Sequence, residues 1–385
     1  MIYGRHSVLK RGCSIWDKGQ MPEEEFHGRL DSLRREMRQR GLDALVIYGD
    51  TWSYADLCYL TNHFPKVRGA LGIISTEGPV FLLLNIGGRD VPFARSLTWV
   101  QDLRPSAQVG RDGAAALRDL GLERARIGLV DTGKGLPLPQ FKALKEGLPE
   151  VQWEDSSSVV LKMRLRKSER ELAIMREAGR ILKEIWEESK EIIRPGRSDY
   201  EIVAGLDRLA RLKGVEDVRI LIGERRLQPP EGKKVDHGQS HLALYLAIQH
   251  RRYWVETGKT CILENNPNIS ELYETSKSTL GAMAAALKPG MSAAEIFQIA
   301  RRELAELYPG AMTYGLGNGI GLSQWEPPFF DEGPKPEGKA AASEPATVER
   351  DMVLALRVAL QAQGIVVLAG HSYQVSPDAP KTLTQ

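Results

Sequence analysis

The spacing of apolar residues changes near residue 155 and divides this chain into two differently patterned halves. In the first half, apolar side chains recur three or four positions apart between residues 22 and 40: Phe26, Leu30, Leu33 and Met37. This spacing predicts an amphipathic helix. Short apolar runs follow at 42–49, 70–75, 79–84 and 125–131, and a helix-like stretch lies at 139–148. The alternation of strands and helices predicts an α/β domain.

The second half opens with a longer helical pattern. Its apolar positions keep a spacing of three or four residues: Leu172, Met175, Ala178, Ile181, Leu182 and Ile185. Further helices are predicted at 198–214, 268–287 and 292–307, and Ser198 with Glu201 has the form of a capping box. Strand-like runs lie at 218–223, 240–248, 251–260, 352–360 and 364–376. Helices separated from strands predict an α+β domain.

The length and composition indicate a folded chain of two domains. A chain of 385 residues is longer than one hydrophobic core usually supports, so we expect domains at 1–160 and 161–385. No stretch approaches the roughly 20 apolar residues of a membrane span. The net charge of +2, without a long basic run, argues against nucleic acid as a partner. A Pro/Gly/Ala-rich segment at 332–346 predicts a loop.

Three widely spaced cysteines, Cys13, Cys58 and Cys261, form no C-x-x-C motif. An odd number of isolated cysteines favours free thiols in a reducing compartment. We therefore expect a cytoplasmic protein.

Five sequence blocks occur in an order and at intervals that resemble the creatinase/prolidase/proline aminopeptidase family. They are RKSERELAIMREAGRI (166–181), RRYWVETGKT (251–260), GLGNGIGLSQWEPP (315–328), ERDMVLALRVAL (349–360) and AGHSYQVS (369–376). The resemblance implies an α/β N-terminal creatinase-like domain followed by an α+β pita-bread C-terminal domain. It also implies a homodimer and a small-molecule substrate.

The resemblance also identifies the positions where metallopeptidases of this family hold two divalent ions. Those enzymes use two Asp, one His and two Glu, and the corresponding residues here are Tyr245, Glu256, Asn318, Arg357 and Gly370. One carboxylate beside an arginine is a poor donor set for two divalent cations. We therefore predict no metal and no other cofactor.

Glu256 is the predicted centre of the site, because creatinase and ectoine hydrolase, which resemble this chain, carry Glu at that position. It would bind a cationic group or act as base or nucleophile. The predicted catalytic group is Glu256, Glu326, Asn318 and Tyr245. The predicted substrate-binding residues are Arg357, Arg68, His63, Trp325, Gln228 and His371. Gln228 stands where a family histidine is usual, and His63 and Arg68 lie where an N-terminal domain would reach a neighbouring subunit.

Three functions are compatible with these residues. The first is a metal-independent, creatinase-like hydrolase that cleaves a C–N bond in a small guanidino, ureido, amidine or amide compound. The second is a catalytically inactive pita-bread protein that binds a ligand or a protein, with Glu256 paired to Arg357 as a structural ion pair. The third is an Xaa-Pro-type peptidase with an unorthodox metal site.

Overall fold

The computed structural model describes residues 15–65, 68–236, 238–307, 312–313, 316–330, 347–362 and 364–385. The chain divides into two compact units, Met1–Arg164 and Leu165–Gln385. The predicted loop at 332–346 lies outside the described residues.

The first helix of the described residues, α1 (Glu23–Arg40), has the predicted amphipathic form. Three glutamates occupy its first turn and two arginines its last, which complements the helix dipole. Gly41 ends it in the left-handed conformation, with φ of 66°, where a residue without Cβ is favoured. All four predicted apolar positions are buried.

The first unit is built around a six-stranded mixed sheet. Its strands are β1 (Ala44–Gly49), β2 (Ala70–Ser75), β3 (Val80–Leu84), β4 (Asp102–Pro105), β5 (Arg126–Val130) and β6 (Gln152–Asp155). They lie in the order β4-β3-β2-β1-β5-β6. The shorter helices are α2 (Ala55–Thr61), α3 (Val91–Arg95), α4 (Val109–Asp119), α5 (Thr132–Gly135) and α6 (Leu138–Glu146). Both α4 and α6 contribute to a core with residues of β1, β2 and β3, and this confirms the α/β prediction.

The helices of the second half follow the predicted pattern. A short helix, α7 (Ser157–Leu165), precedes the long helix α8 (Glu169–Ser189), which begins at a capping box formed by Ser168 and Glu171. The capping box predicted at Ser198 and Glu201 opens α9 (Asp199–Leu212). The remaining helices are α10 (Pro267–Ala285) and α11 (Ala293–Leu307).

The second unit contains a nine-stranded sheet. Its strands are β7 (Asp217–Gly223), β8 (His241–His250), β9 (Tyr253–Ile262), β10 (Met312–Thr313), β11 (Gly317–Gly319), β12 (Glu326–Phe329), β13 (Val353–Ala362), β14 (Ile365–Gln374) and β15 (Lys381–Thr382). The main path is β12-β11-β13-β14-β9-β8-β7. Every pairing in it is antiparallel. The α+β prediction for this half is confirmed.

Two smaller observations concern the sequence-based expectations. Among the helices of the described residues, none is long and apolar enough to span a bilayer. Cys261 carries a free thiol and Cys58 is buried, while Cys13 lies outside the described residues.

Candidate functional site

The β8–β9 hairpin brings Tyr245 and Glu256 together. Ala247 lies opposite Glu256 in the ladder, so Tyr245, two residues before Ala247, is a diagonal neighbour on the same face. The Tyr245 hydroxyl donates a hydrogen bond of 2.6 Å to Oε2 of Glu256. Glu256 is only 3% exposed, so this hydrogen bond is formed in a largely desolvated environment.

The Glu256 backbone is also held firmly. Its N–H donates to Oγ of Ser372 at 2.9 Å. Its carbonyl accepts hydrogen bonds from the hydroxyls of Ser372 and Thr384, each at 3.1 Å. Ser372 and Thr384 therefore fix the backbone from which the Glu256 side chain extends.

Arg357 approaches Glu256 across a row of small residues. It lies opposite Gly370 on β14, and Gly370 lies opposite Gly258 on β9. A Cβ at Gly370 would stand 3.0 Å from Cβ of Arg357, which is a crowded distance. A glycine at this position therefore leaves room for the arginine, whose Nη1 donates to Oε1 of Glu256.

Strand β11 and the loop after it complete the arrangement, with Asn318 on the strand and Gln324 in the loop. Nη2 of Arg357 donates to Oδ1 of Asn318 at 2.7 Å. The Asn318 amide donates in turn to the backbone carbonyl of Gln324 at 2.9 Å. Nε2 of Gln324 donates to the Tyr245 hydroxyl at 2.6 Å. Tyr245, Glu256, Asn318, Gln324 and Arg357 thus form one hydrogen-bonded set, called here the Arg357 cluster.

Trp325 forms one accessible edge of this cluster. The Arg357 guanidinium lies over its ring, 5.1 Å from the ring centroid, in a cation–π contact. Trp325 remains 54% exposed, and Tyr245 is partly exposed. These two aromatic residues therefore form the exposed border of the cluster.

The cluster balances its own charges. Both carboxylate oxygens of Glu256 accept hydrogen bonds, and the Arg357 guanidinium neutralises the carboxylate charge. Burial and the neighbouring Glu256 carboxylate raise the pKa of Tyr245 well above its usual value, so this hydroxyl stays protonated. The cluster therefore holds no unengaged carboxylate oxygen and no phenolate.

Glu326 has a different environment. Its Oε2 accepts a hydrogen bond of 2.9 Å from Nζ of Lys167, and its Oε1 accepts one of 3.0 Å from the Ser323 N–H. Glu326 is 1% exposed and Lys167 5% exposed. This buried ion pair ties the start of α8 to the loop that carries Gln324 and Trp325.

His371 lies next to Gly370 on β14, so it points to the opposite face of the sheet from Gly370. Its Nδ1 lies 3.0 Å from the Thr384 carbonyl oxygen. Burial, with a smaller contribution from Lys259, lowers the pKa of His371 to about 4. The ring is therefore neutral at pH 7.

The other predicted binding residues lie elsewhere. Gln228 bridges to Ile222 and lines a cleft of about 610 Å³ beside β7, whose lining includes no residue of the cluster. His63 and Arg68 belong to the first unit. His63 is buried, and Arg68 is exposed with Nη1 3.5 Å from Oδ1 of Asn85.

The sequence-based prediction of the site missed Gln324, Ser372 and Lys167. Gln324 lies between Asn318 and Trp325 in the block GLGNGIGLSQWEPP. A polar residue between two predicted site residues could have been included in the prediction. Ser372 and Lys167 gave no such signal, because their role depends on contacts with residues more than a hundred positions away in the chain.

Comparisons with known proteins agree with this architecture. The family model of the Creatinase/Prolidase N-terminal domain matches residues 29–166, and that of metallopeptidase family M24 matches residues 173–375. A prolidase-type N-terminal domain followed by a pita-bread domain is thus the class that the fold defines. The chain belongs to metallopeptidase family M24.

The names of individual relatives describe different activities. A Xaa-Pro dipeptidase of Lactobacillus delbrueckii is 28% identical over 209 residues, 52% of this chain and 57% of that protein. An ectoine hydrolase of Halomonas elongata is 24% identical over 214 residues, 48% of this chain and 49% of that protein. The matched segments thus span about half the length of these curated relatives.

A solved structure resembles the chain over more of its length. The X-Pro aminopeptidase of Thermotoga maritima superposes with a TM-score of 0.81 at 18% identity, covering 93% of this chain and 97% of that one. At that level of identity the likeness establishes the fold alone.

The family name implies metal ions, but the side chains present do not fit them. Of the five positions that the sequence resemblance matches to the family's metal ligands, Tyr245, Glu256, Asn318 and Arg357 are hydrogen-bonded to one another in the Arg357 cluster, and Gly370 has no side chain. The Arg357 guanidinium adds positive charge where cations would bind. Within the described chain, no group of three or more His, Cys, Asp or Glu side chains could hold a metal ion.

The Arg357–Glu256 pair makes a testable contribution to stability. We expect Arg357→Met to lower the free energy of unfolding by about 3–5 kcal/mol, because Glu256 is then left buried without its counter-charge. Adding Glu256→Gln should recover much of this loss. Urea unfolding of the single and double variants measures both effects.

Arg208→Met, an exposed change on α9, is the matched control and should stay within about 0.5 kcal/mol of the parent. A cost for Arg357→Met no larger than this control would contradict the assigned role of the pair.

The lowered pKa of His371 predicts that the free energy of unfolding depends on pH. The unfolded chain takes up a proton at His371 below pH 6.5, whereas the folded chain does so only near pH 4. Stability should therefore fall as the pH drops from 6.5 towards 4, by at most about 1.4 kcal/mol per pH unit for this group. His371→Asn should flatten that part of the profile.

Burial also lowers the pKa of His250, which adds a slope of the same sign. The relevant quantity is therefore the difference between the parent and His371→Asn in unfolding free energy across this pH range. A pH-independent difference would contradict the assigned environment of His371.

Proposed function

We propose that this chain is a member of family M24 that does not use paired metal ions, and that its Arg357 cluster binds a small polar ligand. The observation that carries the proposal is the pairing of Arg357 with Glu256. Arg357 is one of the five positions that the resemblance matches to the family's metal ligands, and its guanidinium pairs with Glu256, the one carboxylate among them.

The same geometry favours binding over catalysis. A general base must come within hydrogen-bonding reach of the substrate proton. The Glu256 carboxylate is buried and already accepts from Tyr245 and Arg357, Tyr245 stays protonated, and the cluster contains no histidine. Asn318 and Gln324 are amides and cannot serve as bases. The cluster is thus better suited to recognition by hydrogen bonds.

Glu326 fits this proposal as a positioning residue. Its buried ion pair with Lys167 holds the loop from which Gln324 and Trp325 reach the cluster. We further propose, from the resemblance, that the protein works as a homodimer in the cytoplasm. In that assembly His63 and Arg68 would serve a neighbouring subunit, and residues 1–160 and 161–385 would be its two functional domains.

Metal analysis tests the proposal directly. We expect protein purified after growth with added manganese, cobalt or zinc to carry none of them stoichiometrically and to leave an Ala-Pro dipeptide uncleaved. Rebuilding four positions of the family donor set with Tyr245→Asp, Glu256→Asp, Asn318→His and Arg357→Glu should introduce Mn²⁺ binding, because three carboxylates and one imidazole then face one another.

Glu256→Asp alone is the control and should not introduce Mn²⁺ binding. Stoichiometric metal in the parent chain, together with Ala-Pro hydrolysis, would overturn the proposal in favour of an Xaa-Pro peptidase with an unorthodox metal site.

A metal-independent C–N hydrolase is the second candidate. Two observations favour it: the carboxylate of Glu256 at the centre of the cluster, and the similarity to an ectoine hydrolase. In this case the ligand would have to displace Tyr245 or Arg357 and release a carboxylate oxygen as base or nucleophile.

A turnover screen separates the two candidates. Guanidino, ureido, amidine and amide compounds are incubated with the parent and with Glu256→Gln. The binding proposal expects no turnover by either protein. Turnover by the parent that falls by about a hundredfold or more in Glu256→Gln would establish the hydrolase instead.

A further inference from the structure

Gln324 carries a buried acceptor that the protein leaves unpaired. The residue is 5% exposed, and its Nε2 donates to the Tyr245 hydroxyl. Its Oε1 is buried and receives no hydrogen bond within the described chain. Buried side-chain acceptors usually have a partner, so this atom points to a missing donor.

The orientation of the Gln324 amide follows from its neighbours. The single hydroxyl proton of Tyr245 is used in the bond to Glu256. The hydroxyl can therefore only accept from Gln324, which requires the NH₂ end of the amide to face it. Flipping the amide would set two acceptors against each other, so Oε1 must be the unpaired end.

The surroundings of this acceptor indicate the charge of the missing group. Glu256 is already neutralised by Arg357, so the cluster has no excess negative charge to attract a cation. Arg357 has five N–H groups, and the described chain supplies side-chain acceptors at Glu256 and Asn318 alone. A ligand carbonyl can use the remaining donors.

We infer that the site recognises a neutral amide or ureido group, whose N–H donates to Oε1 of Gln324 while its carbonyl accepts from Arg357. This inference rests on the proposed binding function and adds the chemical class of the ligand. Gln324 is accordingly a specificity-determining residue.

Two probes of nearly equal size and shape test the inference. N-carbamoylglycine carries a neutral ureido group, and guanidinoacetate carries a guanidinium in its place. Calorimetric titration of the metal-free protein should show tighter binding of N-carbamoylglycine, by about tenfold or more, because only it offers both a donor and a carbonyl acceptor.

Two variants of Gln324 sharpen the test. Gln324→Met removes the acceptor and should weaken N-carbamoylglycine binding by about tenfold. Gln324→Glu keeps an acceptor and adds a negative charge, so it should shift the preference towards guanidinoacetate. If Gln324→Met does not fold, the change in preference between the two probes in Gln324→Glu decides the test.

Gln249→Met is the matched control, since Gln249 is also a buried glutamine on the second unit, with its Nε2 bonded to the Arg252 carbonyl. It should leave the affinities for both probes unchanged. The inference is overturned if neither probe binds the parent, if guanidinoacetate binds the parent more tightly, or if neither Gln324 variant alters the preference. None of these outcomes involves bound metal or cleavage of Ala-Pro. They can therefore be distinguished from the results that would overturn the proposed function.

Discussion

The buried contact between Arg357 and Glu256 is the interaction on which the rest of the candidate site depends. A buried carboxylate is costly unless it is paired and hydrogen-bonded. Here the pairing comes from Arg357, and Tyr245 completes the hydrogen bonding of the carboxylate. The arginine also orients Asn318, and Tyr245 orients Gln324. Removing either charge would leave its partner buried and uncompensated.

The sheet of the second unit makes this contact possible. Arg357, Gly370, Gly258 and Tyr245 lie at successive paired positions of β13, β14, β9 and β8. Two glycines in the row leave space for a long side chain to cross towards Glu256. The chain thus keeps the family fold, and on it Tyr245, Glu256, Asn318 and Arg357 form one hydrogen-bonded cluster. A fold of this kind supports several chemistries, and the side chains at the site decide among them.

The sequence predicted part of this site. Resemblance to the family indicated that Tyr245, Glu256, Asn318 and Arg357 lie close together, and the structure brings all four into one cluster. Gln324 escaped prediction because its contact depends on how the loop 320–325 folds. Glu326 lies near the same loop, but its carboxylate is engaged by Lys167. His371 follows Gly370 by one residue, and strand alternation places it on the opposite face.

Local sequence determined the helices, the strands and their capping. The apolar spacing of α1, the capping boxes at Ser168 and Ser198 and the glycine at position 41 all act over a few residues, so a pattern along the chain can reveal them. Only the tertiary structure decided how the charges pair and which acceptor stays unpaired. Glu256 and Arg357 are 101 residues apart in the chain, and the orientation of the Gln324 amide follows from the hydrogen bond that Tyr245 donates to Glu256. Such hydrogen bonds are set by distances across a folded sheet, which no local pattern encodes.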